Sequence, residues 1–103
     1  MSPVSAYNPG RCTAVCPLRI GKDGMFQQGP ALWTAGRVSA GTYEIVHNAG
    51  HTNYGVIAGV INAPGIYKET VTVTETNENR ILVQTTDSTQ PSDADLWLLV
   101  VMP

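Results

Sequence analysis

From residue 31 onward, apolar and polar positions alternate in short runs separated by turn formers. Residues 42–47 (TYEIVH) show it most cleanly: Tyr43, Ile45 and His47 share one parity, Thr42, Glu44 and Val46 the other. A period of two marks a strand with one buried face. Residues 66–75 (IYKETVTVTE) alternate as well, with Tyr67, Val71 and Val73 opposite Lys68, Thr70, Thr72 and Thr74. Residues 31–38 (ALWTAGRV) and 80–86 (RILVQTT) are further strand candidates. Two runs, 53–61 (NYGVIAGVI) and 96–102 (LWLLVVM), are apolar almost throughout. The first of these predicts a strand buried on both faces. Gly55 and Gly59 share the parity of Ile57 and Ile61, so a backbone or a large ring is expected to approach there. The final run has to be central or covered, because an exposed apolar edge templates aggregation.

The intervening segments are built from loop formers: Asn48-Ala49-Gly50, Asn62-Ala63-Pro64-Gly65, Thr76-Asn77-Glu78-Asn79 and the loop 87–95 (DSTQPSDAD). No window has helical amphipathicity. The pattern predicts an all-β fold, an antiparallel β-sandwich of about six to eight strands. Residues 31–103 form the sandwich in this reading. Residues 1–30 read as an extended lead-in, with Pro3, Pro9 and Pro17 and one hairpin turning at Gly21-Lys22-Asp23-Gly24. That turn is no phosphate loop, since no Gly-Lys-Ser/Thr and no following helix exist.

Composition narrows the function. Val, Thr, Ile and the aromatics supply 35 of the 103 residues, which agrees with the strand reading. Charged residues are only 14% and the net charge is −2, so no basic footprint for nucleic acid exists. No apolar run reaches a membrane span of about 18 residues, and no signal peptide is visible at the start. So low a charge is unusual for a free monomer and suggests a surface covered by a partner or by further copies.

Candidate chemistry is sparse. Cys12 and Cys16 are spaced C-x3-C and His47 and His51 H-x3-H, which makes a four-ligand zinc site arithmetically conceivable. The histidines would need a helix to face one way, and Asn48 and Gly50 argue against one. A local disulfide would close a very small loop. Two free thiols, buried or half-buried, are the preferred reading, with no metal and no cofactor. The serines lack a nucleophile-elbow context, and Asp87, Asp93 and Asp95 lack calcium-loop spacing. No enzymatic activity is expected. Exposed Trp and Tyr serve as platforms for sugar rings. Tyr43, Tyr54 and Trp97 sit in apolar strands and are expected in the core. Trp33 and Tyr67 have polar or small neighbours and are the candidate ligand-binding aromatics. His47 and His51 complete the candidate set, either stabilising the turn or serving a ligand.

Residues 41–56 follow the pattern G-x-Y-x-I-x-H-x-x-G-x-x-x-Y-x-V through Gly41, Tyr43, Ile45, His47, Gly50, Tyr54 and Val56. This pattern resembles the carboxyl-terminal domains of bacteriophage tail fibres. The likeness extends over residues 31–103, with a strand reading I-L-V-Q-T, an Asp-bearing loop and an apolar last strand. It implies a non-enzymatic homotrimeric fibre tip, descending from a shaft, which attaches to a cell-surface polysaccharide or other bacterial surface receptor. The location implied is extracellular or on the virion surface, with no nucleic-acid partner and no membrane insertion. Rival readings are a monomeric carbohydrate-binding module using Trp33 and Tyr67, and a purely structural virion assembly domain.

Overall fold

The computed structural model describes residues 7–8, 11–12, 15–61 and 69–102. It places β1 (Tyr7–Asn8), β2 (Arg11–Cys12), β3 (Val15–Ile20), β4 (Phe26–Gln28), β5 (Thr34–Ser39) and β6 (Thr42–Val46) in the first half. β7 (Gly55–Val60), β8 (Glu69–Thr76), β9 (Arg80–Asp87), β10 (Gln90–Pro91) and β11 (Leu96–Val101) follow. Among the described residues there is no helix, and so none long and apolar enough to cross a membrane.

Among the described residues, β1 and β2 pair with each other alone, and the remaining strands form two antiparallel sheets packed as a β-sandwich. One sheet runs β4-β3-β11-β7. In the other, β9 is flanked by β8 on one side and β6 on the other, with β5 outside β6. Short β10 takes up β9 where β6 ends: Pro91 lies opposite Thr86 and Thr42 opposite Gln84. Alternate residues of β3, β6, β9 and β11 meet between the sheets. Cys16, Leu18 and Ile20 of β3 and Leu96, Leu98 and Val100 of β11 are buried against Tyr43, Ile45, Ile81 and Val83. Val56 and Ala58 of β7 and Val71 and Val73 of β8 close the flanks.

Three expectations are revised. The sandwich does not start at residue 31. β3 is a central strand, pairing with β11 from Val15 opposite Val101 to Ile20 opposite Leu96. Its inward parity is fully apolar, and Pro17 lies on the outward parity, beyond Arg19 and Ile20, the two residues paired with β4. β7 is not buried on both faces: it is an edge strand of its sheet, and Ile57 is 56% exposed. Cys16 is disulfide-bonded, so neither a free thiol nor a zinc ligand is available there.

Other expectations stand. The hairpin turns at Gly21–Gly24, with Gly21 N–H donating to the Met25 carbonyl (2.9 Å) and Gly24 N–H to that of Gly21 (2.8 Å). β11 is central. The ring expected near the glycines of β7 is Trp97: a Cβ on Gly59 would stand 2.5 Å from three of its indole atoms.

Candidate functional site

The chain crosses from one sheet to the other between β6 and β7, and His47 organises the crossing. It follows the last residue of β6 on the inward parity and is 7% exposed. Its Nδ1 accepts the Ala49 N–H (2.9 Å), so the neutral ring carries its proton on Nε2. Nε2–H then donates to the Tyr54 hydroxyl (3.0 Å), which donates to the Asn77 carbonyl (2.6 Å). The His47 and Asn48 amides both donate to the Asn79 carbonyl, at 2.8 and 3.0 Å, and Gly50 donates to that of Glu78 (2.8 Å). Left-handed backbone at Asn48 (φ 52°) and Gly50 (φ 81°) permits this return. The crossing is thereby tied to the β8–β9 turn.

Trp33 packs on His47 with ring centroids 5.7 Å apart, and Tyr54 meets it edge-on at 4.8 Å. His51 is exposed, its ring 6.4 Å from that of Tyr54, and its Nδ1 accepts the Asn53 amide (3.1 Å). Both His47 nitrogens are engaged, leaving it no lone pair for a metal or a substrate. Burial is the main influence on its ring and pushes its pKa down, as does the neighbouring His51, against the backbone of Asn77.

The other end of β6 is anchored as firmly. The buried Tyr43 hydroxyl donates to the Lys22 carbonyl (2.9 Å) and accepts the Ala94 N–H (3.2 Å). Burial raises its pKa. Asp93 accepts the Gly41 amide (2.7 Å) and two contacts from Arg37 Nε, at 3.0 and 2.9 Å. The Arg37 guanidinium first, and the Gly41 amide second, hold its carboxyl below the usual range. Asp95 accepts the Lys22 amide (2.8 Å). The acids of loop 87–95 that invited a calcium reading thus bind the chain itself. Among the described residues, no group of three or more His, Cys, Asp or Glu is placed to hold a metal ion.

Of the candidate residues, Trp33 and His47 are in ring contact, and His47 and His51 both lie against Tyr54. Tyr67 lies outside the described residues. Trp33 is no sugar platform, because it is 6% exposed and part of the core. The exposed tryptophan is Trp97, at 40%, which the sequence reading placed inside. Neighbour polarity misled both assignments. Parity distinguishes Trp97 from the buried Leu96, Leu98 and Val100, and Gly59 marks where its ring lies.

Trp97 belongs to a larger outward surface. It is flanked by Arg19 on β3 and Gly59 on β7; the next row is Pro17, Leu99 and Ile57, and the last is Val15, Val101 and Gly55. Val15 is 50% exposed and Val101 43%. In comparisons with known proteins, the chain matches no family model, no curated protein and no solved structure.

Proposed function

We propose that this chain is a non-enzymatic attachment domain: a homotrimeric fibre tip that holds a polysaccharide or another receptor on a bacterial surface. One observation carries the reading. Residues behind the tail-fibre resemblance hold β6 at both of its ends. Gly41 and Gly50 take positive φ, Tyr43 and Ile45 are fully buried, and His47 bonds Tyr54 across the crossing.

The disulfide at Cys16 favours an oxidising compartment, in keeping with an extracellular or virion-surface location. The crossing and loop 87–95 are pinned at both ends, so the tip presents its loops on a rigid frame. Three copies on one axis convert weak single contacts into avidity without new contacts. Two measurements test this: light-scattering mass at micromolar concentration, and staining of a panel of bacterial hosts by labelled protein. A trimeric mass with selective staining is expected. A monomer overturns the trimer, and a trimer that stains no host leaves virion assembly as its role.

A further inference from the structure

The two outer faces of the sandwich are solvated in opposite ways. Outward from β8, β9 and β6 point Thr42, Thr70, Thr72, Gln84 and Thr86, with the half-buried Val46 and Leu82 among them and Arg80 bridging Glu44 (2.8 Å) and Glu75 (3.3 Å). Outward from β3, β11 and β7 point Val15, Pro17, Trp97, Leu99, Val101 and Ile57, and the one charge in those rows is Arg19, at the margin. Arg19 already donates to Gln27 (3.1 Å). The low overall charge is therefore concentrated on one face. We infer that this face is the surface through which copies of this chain meet. The inference rests on the self-associating reading above and names the surface which that reading leaves open.

Three arguments select a second copy as the occupant. First, the partner has to be apolar, flat and uncharged over this area, and every copy carries such a face. Second, the face has relief that fits itself. Along β7 the outward row is Gly55, Ile57, Gly59: an exposed knob beside open space, since a Cβ on Gly55 would meet nothing within 4 Å. Knob and hollow stand two residues, about 6.6 Å, apart, so a neighbour shifted by that step seats its own Ile57 in the gap. Third, the area is on the scale of a contact between copies. Three strands of six residues give a plan area of about 300 Å², as large as a notable apolar patch on a monomer. Two such faces give about 600 Å² of plan area, to which the relief of Trp97, Ile57 and the valines adds, against the roughly 1,000 Å² total of a specific interface.

The test compares wild type with Ile57→Glu, Val101→Glu, the milder Ile57→Thr and the polar-face control Thr72→Glu, by light scattering across a dilution series. Near-UV circular dichroism and urea midpoints establish that each is folded. Both Glu variants are expected to be folded and monomeric, with the dissociation midpoint raised at least about a hundredfold. Ile57→Thr, which keeps a β-branched residue, shifts in the same direction by less, and Thr72→Glu stays oligomeric. Folded Glu variants that keep the wild-type mass overturn this face while leaving the oligomer intact, as does dissociation by Thr72→Glu instead. A monomeric wild type overturns the self-associating reading and this inference together. A monomeric wild type that binds a glycan array, and loses binding in Trp97→Ala, assigns the face to a sugar and likewise overturns it.

Discussion

Gly41 and Gly50 both adopt left-handed backbone, and substituting each by alanine separates two effects that normally occur together. Gly41 has φ 70° and Gly50 has φ 81°. For any L-residue that conformation costs about 1–2 kcal/mol, offset by about 0.4–1 kcal/mol because alanine restricts the unfolded chain. At Gly50 the account ends there, since a Cβ would meet nothing within 4 Å. The expected loss is about 1 kcal/mol. At Gly41 a Cβ would stand 2.5 Å from the Thr85 carbonyl oxygen and 2.8 Å from the Ser92 nitrogen, both backbone atoms. The chain has to move, and with it go the bonds from Thr85 N–H to the Gly41 carbonyl and from Gly41 N–H to Asp93, each 2.7 Å. At about 1 kcal/mol each, these bring the loss to about 3 kcal/mol. That is a large part of the roughly 5–15 kcal/mol that holds a domain together. The assay is urea unfolding at one fixed protein concentration, with the slope checked for constancy. Equal losses at the two positions would refute the argument, as would a Gly41→Ala loss below about 1 kcal/mol. Asparagine, which tolerates left-handed backbone, should nearly restore position 50 and fail at position 41.

Three further outcomes follow. Burial holds the folded His47 pKa below its unfolded value of about 6.5, so its contribution is complete above that pH and is lost as pH falls through the folded value. Melting temperature should therefore drop between about pH 7 and pH 5 in wild type and less steeply in His47→Gln; parallel curves contradict this. The Asp93 carboxyl is likewise depressed, so its stabilisation is present above about pH 3.9 and disappears in stronger acid. Urea midpoints of wild type and Asp93→Asn should differ at neutral pH and converge in acid, and a gap that persists in acid contradicts this. Trp33→Ala removes a core side chain and should cost about 3–5 kcal/mol. Trp97→Ala, measured on dissociated protein, should cost less than half of that, and equal costs would refute the burial assignment.

Much of the architecture was legible because period two is a direct imprint of a half-buried sheet. β6, β8, β9 and β11 stand where alternation or continuous apolarity placed them. β3 reads from the sequence only as a hairpin arm outside the sandwich, because Pro17 reads as punctuation, although Cys16, Leu18 and Ile20 carry the same alternation around it. The tryptophans were exchanged because exposure follows from which side of the pleat a residue takes, not from the polarity of its sequence neighbours. The position of His47 on the Tyr43–Ile45 parity was legible. Its bonds to Ala49 and Tyr54 were not, since they depend on how a left-handed turn folds back on the β8–β9 connection.

β11 lies between β3 and β7, paired along its whole length with both. The strand made last among these therefore occupies the middle of its sheet. During synthesis β3 and β7 have no direct ladder to form with each other, and their apolar inward rows wait until residue 101 has left the ribosome. Closing that sheet joins segments some 80 residues apart, a long-range pairing that slows folding. Until then β7 lacks its ladder partner and β3 has only the short β4, so a ribosome stalled before residue 96 should leave an aggregation-prone product rather than a smaller stable domain.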